Sequence, residues 1–113
     1  MTYDRFDVVI VPFPYTDRST KKRRPAVVLT ASSDYGEPTG QAVMAMITRA
    51  TGSQWPHDVR LSDRSTTGLL KDCRVRLKLF SIDQRLIDRR IGALVLPDQV
   101  ALKAALATLF DLE

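Results

Sequence analysis

Asp7-Val8-Val9-Ile10-Val11-Pro12-Phe13-Pro14 is the stretch on which the fold turns. A run of β-branched side chains loses rotamer freedom in a helix and packs well on a pleated sheet. Pro12 and Pro14 then close it, because proline has no N–H to give to a ladder. The stretch reads as a short buried strand with an extended exit. Tyr15 to Arg24 follows as a polar loop. Pro25-Ala26-Val27-Val28-Leu29-Thr30 reads as a second strand, with its proline at the first position, where a missing donor is tolerated.

The same pattern continues along the chain. Ser32 to Gly40 is turn-rich, and Ala42 to Thr48, carrying Val43, Met44, Met46 and Ile47, predicts a third strand ending near Thr48. Trp55 to Leu61 alternates, with Trp55, His57, Val59 and Leu61 sharing one parity, as a half-exposed strand requires. Cys73 to Leu79 alternates more clearly: Val75, Leu77 and Leu79 share one face, and Arg74, Arg76 and Lys78 share the other. Ser81-Ile82-Asp83-Gln84 has the spacing of a capping box, which predicts a short helical turn running toward Ile87. Ile91 to Leu96 reads as a last strand. Pro97 can open a helix in which Leu102, Leu106, Leu109 and Phe110 fall on one face. Five or six short strands and one terminal helix describe a mainly β domain, a small curved antiparallel barrel with a C-terminal helix, rather than a doubly wound sheet.

The 113 residues fit a single domain, 1–113, with no repeat or linker. The net charge of +4 and pI near 9.6 favour an acidic partner, nucleic acid above all, although a basic protein with no polyanion partner has the same composition. Cys73 is the only cysteine, so no intrachain disulfide can form, and with one histidine it cannot build a zinc site of the usual kind. The expectation is a cytoplasmic protein without metal or cofactor. Val8 to Val11 is too short to cross a membrane and lacks the flanks of a signal peptide, so no membrane partner is expected.

Asp7-Val8-Val9-Ile10-Val11-Pro12-Phe13-Pro14-Tyr15-Thr16-Asp17, followed by Lys22-Arg23-Arg24-Pro25-Ala26-Val27-Val28-Leu29, resembles the opening of the MazF/PemK toxins. That family begins with an Asp-led apolar strand, a Pro-x-Pro exit and an Arg-Pro second strand. The resemblance continues through Ile47-Thr48, Pro56-His57-Asp58-Val59, Gly68-Leu69-Leu70-Lys71-Asp72, Lys78-Leu79-Phe80-Ser81-Ile82-Asp83 and Arg90-Ile91-Gly92. It implies an SH3-like barrel of the CcdB/MazF type, a homodimer, and metal-independent cleavage of single-stranded RNA. It also implies a cognate antitoxin whose acidic flexible segment occupies the same groove. Two departures bear on loop shape: Phe6 stands where the family commonly has glycine before the first-strand aspartate, and Ser19-Thr20-Lys21-Lys22 replaces a glycine-containing loop.

Cutting RNA without metal requires the 2′-hydroxyl to attack the adjacent phosphate, leaving a 2′,3′-cyclic phosphate and a 5′-hydroxyl. The resemblance carries the catalytic arginine onto Arg24 and the catalytic threonine onto Thr48. A guanidinium clamps phosphate oxygens and can protonate a leaving oxygen but is a poor base; a hydroxyl can donate to a phosphate oxygen. Asp72 aligns with an acidic position that some members use as base or positioner, and a solvated turn aspartate is its other reading. Lys21, Lys22 and Arg23 extend the basic loop toward substrate. Arg74, Arg76 and Lys78, about 6.6 Å apart along one strand face, could track successive phosphates, or could be a solvated outer face. His57 is the obvious base by its ordinary pKa, yet its parity with Trp55 and Val59 points to a packed ring. Trp55 reads as core, although single-strand binders also use such rings to stack bases. Two rival functions share these features: a CcdB-like gyrase poison, argued against by the Asp111-Leu112-Glu113 ending in place of a terminal Trp-Gly-Ile, and a non-catalytic RNA-binding barrel.

Overall fold

A computed structural model describes residues 2–12 and 22–112. The β-branched runs form strands where expected: β1 is Asp7–Pro12, β2 Arg23–Val28 and β3 Gln41–Arg49. β4 is only Val59–Arg60, β5 is the long Cys73–Asp83, and β6 is Arg89–Ala93. They make one antiparallel sheet in the order β4-β5-β3-β2-β1-β6. Register shifts between Val8 and Val9 on β1 and between Ala45 and Met46 on β3 bend the ladder, the device by which a sheet this small curls. The mainly β class with a C-terminal helix is the architecture found.

Alternate residues go to opposite faces of a strand, and here both faces are filled. Val9, Val11, Ala26, Val28, Met44, Phe80 and Ile82 form one apolar cluster; Val8, Val27, Ala45, Ile47 and Val75 belong to the other. The second cluster is closed by Phe6, Leu94 and Leu102, the last on α3, the terminal helix Leu96–Leu109. Asp98 pins that helix: its buried carboxylate accepts hydrogen bonds from the Ser62 N–H (3.0 Å) and hydroxyl (2.8 Å). Leu102 is buried and Leu106 packs half-buried against the same cluster, whereas Leu109 and Phe110 are exposed, so the predicted apolar stripe docks through its first two members and not its last two.

Several local expectations are corrected. The turn-rich segment is helical, a wide turn over Ser32–Gly36 leading into α1 at Glu37–Thr39. β5 runs through Ser81 to Asp83, so the short 3-10 turn Gln84–Leu86 is capped by Asp83, which accepts from the Arg85 N–H, and the capping box does not form. Gln84 is instead buried and joins distant segments, accepting from the Tyr3 N–H (2.9 Å) and donating to the Gly36 carbonyl (2.9 Å). The last strand begins at Arg89, where Ile91 was expected, because Arg89 and Arg90 pair with Ile10 and Val9 of β1.

The predicted strand from Trp55 shrinks to two residues because Trp55-Pro56-His57-Asp58 is a turn. Proline occupies its second position, His57 takes a left-handed φ of 68° at the third, and the Asp58 N–H returns to the Trp55 carbonyl at 3.3 Å. That is the pattern of a type II turn.

Two glycines govern a close approach. A Cβ on Gly92 would lie 2.3 Å from the Thr66 carbonyl oxygen, and one on Gly68 the same distance from that of Ile91. Gly68 also has a φ of 74° and terminates α2, Arg64–Thr67. The α2 corner is thereby held against β6. Asp7 and Arg90 tie β1 to β6 in a second way, through an ion pair of 2.9 Å.

Candidate active site on the β2–β3 wall

The β2–β3 ladder pairs Ala26 with Met46 and Val28 with Met44. The same register carried two residues past the last ladder pair sets Arg24 across from Thr48. Arg24 and Thr48 both line two cavities, one of about 660 Å³ and one of about 210 Å³, and so form a wall common to them. The two residues on which the RNA-cleavage expectation rests therefore share a groove.

The larger cavity is edged by Arg23, Arg24, Arg49, Lys71 and Arg89, with Ile47, Leu69 and Ile91 among its apolar lining, and among the described residues no Asp or Glu lines it. Basic groups around low-dielectric walls focus field on whatever enters. Its far side is Gly68 to Lys71, seated by the close approach of Gly68 to the Ile91 carbonyl of β6. Cys73 also lines it; burial pushes its thiol pKa up, against a smaller lowering by Arg49, so the sulfur stays protonated and unreactive near neutral pH. The smaller cavity combines Arg24 and Thr48 with Met46, Trp55, Arg76 and Lys78.

The other sequence-predicted residues divide. Lys21 lies outside the described residues, Lys22 is exposed just before β2, and Arg23 lines the larger cavity. Asp72 turns away from both cavities, its exposed carboxylate meeting Arg60 at 3.7 Å and Arg64 at 3.6 Å. His57 is exposed at the apex of its turn, which corrects the expectation of a packed ring, and it is not among the residues lining either cavity.

The three-residue phosphate rail does not exist as expected. Arg74, Arg76 and Lys78 do share a face, but Arg74 is only 8% exposed. Its guanidinium donates to the carbonyls of Ala50, Thr51, Gly52 and Ser53 at 2.7–3.4 Å. Its Nε sits 3.2 Å from Asp58, placed for charge attraction rather than for an aligned hydrogen bond. Arg76 bridges Asp58 (3.2 Å) and the Ser53 carbonyl (2.7 Å) and lies over the Trp55 ring, 4.7 Å from its centroid. Lys78 is the exposed member.

Sequence reasoning missed Arg49, Lys71 and Arg89 as cavity residues, and Asp58 as the anchor of the 50–58 loop. Arg49 follows Thr48 directly, and that adjacency was the available signal; Arg89 enters the cavity only because β6 pairs with β1. Among the described residues, no three His, Cys, Asp or Glu side chains converge as metal ligands would, and no helix is long and apolar enough to cross a membrane.

Residues 4–110 match the model of the PemK-like, MazF-like toxins of type II toxin–antitoxin systems. The chain belongs to this family. No curated protein sequence matches it significantly. Among solved structures, the fold is similar to a chain of a MazE–MazF crystal structure from Deinococcus radiodurans, with 20% identity over 100% of both chains and a TM-score of 0.80. It is also similar to the Mycobacterium tuberculosis toxin MazF-mt6, with 23% identity, 95% and 98% coverage and a TM-score of 0.71. A third likeness is to a mycobacterial endoribonuclease in complex with its cognate antitoxin, at 16% identity, 98% and 97% coverage and a TM-score of 0.78. The MazF-like toxin therefore carries Arg24 and Thr48 on the fold its family uses.

Proposed function

We propose that this MazF-like toxin is a metal-independent, sequence-selective endoribonuclease acting on single-stranded RNA. One observation carries the reading: Arg24 and Thr48, brought together from two strands, form the common wall of two cavities rimmed by arginine and lysine. A polyanion entering either cavity meets both groups.

In this scheme the 2′-hydroxyl gives its proton to solvent water, and its oxygen forms a bond to phosphorus as the bond to the 5′-oxygen breaks. Arg24 offers its forked donors to the non-bridging oxygens, where negative charge grows, and supplies the proton that the departing 5′-oxygen takes up. Thr48 donates its hydroxyl to the same phosphate and fixes its orientation. DNA lacks the attacking hydroxyl and is inert by this route. The neighbour in complex with its cognate antitoxin supports an antitoxin partner for this chain too, one whose acidic flexible segment fills the basic groove; a homodimer and a cytoplasmic setting complete the proposal.

Purified protein is expected to cut a long natural RNA in excess chelator and to leave 5′-hydroxyl ends. Arg24→Ala is expected to lower the cleavage rate by about 10²–10³ with an unchanged circular dichroism spectrum, the usual cost of losing one donor to a developing charge. Cleavage that stops on chelation, or that persists in Arg24→Ala, refutes the mechanism.

A further inference from the structure

Trp55 is the chain's only tryptophan and is 42% exposed, although an indole in a small β protein ordinarily belongs to the core. Its surroundings hold it there. The Trp55 backbone N–H donates to Asp58 at 2.9 Å, the Asp58 side chain is 1% exposed, and Arg74 and Arg76 both reach that carboxylate at 3.2 Å. Arg76 also backs the ring by a cation–π contact, and the ring lines the smaller cavity beside Arg24 and Thr48. A rigid, part-exposed aromatic surface beside a phosphate-handling pair is what a nucleobase needs in order to stack. Because the loop is already ordered, little further ordering entropy is lost when it does.

We infer that Trp55 is a base-stacking platform, held in place by Asp58 and Arg76, that receives a nucleobase flanking the scissile phosphate. The inference rests on the nuclease reading above and deepens it by assigning one specificity-determining residue. Every base has a π face, so stacking fixes where a nucleotide sits and favours the stronger stackers without reading hydrogen bonds. Asp58 and Arg76 act through the ring and are positioning residues.

The lone tryptophan makes the test direct. The cleavage site is first mapped on natural RNA, and a short oligomer with a single 2′-deoxy nucleotide at the attacking position then binds without reacting. Binding, followed independently by anisotropy of a labelled oligomer, is expected to quench the tryptophan fluorescence of the wild-type protein. Trp55→Ala is expected to raise KM for the cleavable oligomer by about 5- to 150-fold, the range that single base–aromatic stacks span, with kcat much less affected. Trp55→Phe recovers most of the loss. An abasic nucleotide walked along the oligomer should meet one position where it weakens binding to the wild type but no longer to Trp55→Ala. Thermal unfolding shows whether Trp55→Ala remains folded, and the fluorescence of the wild type is informative in either case. RNA that is bound and cleaved with no change in fluorescence, or an unchanged KM in folded Trp55→Ala, overturns the platform and leaves the nuclease reading standing. Failure of the wild type to bind or cut RNA removes both.

Discussion

Two basic runs of this chain, Arg23-Arg24 on β2 and Arg74, Arg76 and Lys78 on β5, look alike as sequence and meet opposite fates. The β2 pair stays exposed and lines a cavity in which, among the described residues, no Asp or Glu takes part. On β5 the first arginine is spent inside the molecule on four backbone carbonyls and a buried aspartate, and the second on that aspartate and an indole. The difference lies in what each strand passes. β5 runs under the 50–58 loop, whose carbonyls have no ladder to join, and buried acceptors must find donors. Arginine, with five donors in a fixed fork, can serve several of them from one side chain. An irregular loop laid across a strand face thus takes basic side chains out of solvent.

The largest test of this contrast is Arg74→Ala, which leaves Asp58 and the loop carbonyls short of a donor. Removing one partner of a buried ion pair costs about 3–5 kcal/mol, and urea unfolding is expected to show a loss of that order. A loss below about 1 kcal/mol would put Arg74 with the surface residues. Arg23→Ala and Arg89→Ala should do the reverse. Each is expected to shift stability by no more than about 0.5 kcal/mol while lowering the salt slope of RNA binding by about 0.7, one single-strand phosphate contact each. An unchanged slope in both would detach the cavity rim from the polyanion.

The smallest effect concerns an arginine that is paired yet exposed. Arg85 holds Asp83 down to about 2 from an ordinary 3.8, chiefly by side-chain hydrogen bonding and then by its backbone N–H. A depressed carboxylate contributes stability that is complete above its unfolded pKa and is lost as pH falls through the folded one. The Asp83 contribution should therefore disappear between about pH 4 and pH 2. Asp83→Asn is expected to lower stability slightly at neutral pH and to match the wild type below about pH 2, so that the acid limb between them is flatter. Equal stability of the two proteins at pH 7 would show that the exposed pair contributes nothing.

The strands built on β-branched runs, β1, β2, β3 and β5, were legible because periodicity and propensity agree there with the fold. So was the meeting of Arg24 with Thr48, though only through the family resemblance: neither residue differs locally from an ordinary strand-end side chain. Trp55-Pro56-His57-Asp58 was misread because its alternation was weighed above its proline, and the turn signal won. The capping box at Ser81 failed because the β3–β5 ladder runs on to Asp83, leaving Ser81 inside a strand. Phe6 was noted as standing where the family commonly has glycine, and the structure shows the reason for that preference: its φ is 73°. The conformational cost is offset by burying the ring beside Leu102 and by backbone hydrogen bonds to Val28 (2.7 Å) and Leu94 (3.0 Å). No local pattern could reveal Asp58, Arg74 or Arg89, whose roles depend on which segments the sheet order brings together.

The close approach of Gly68 to the Ile91 carbonyl, and of Gly92 to that of Thr66, also determines where this toxin is free to vary. Any larger residue at either point would drive its Cβ into an opposing backbone carbonyl, so the far bank of the main groove cannot be reshaped there by mutation. Change is channelled into the neighbours the contact holds out, above all Leu70, 90% exposed, and Lys71. New target preferences, or escape from one inhibitor in favour of another, would accumulate on that short projecting segment while the frame beneath it stays the same.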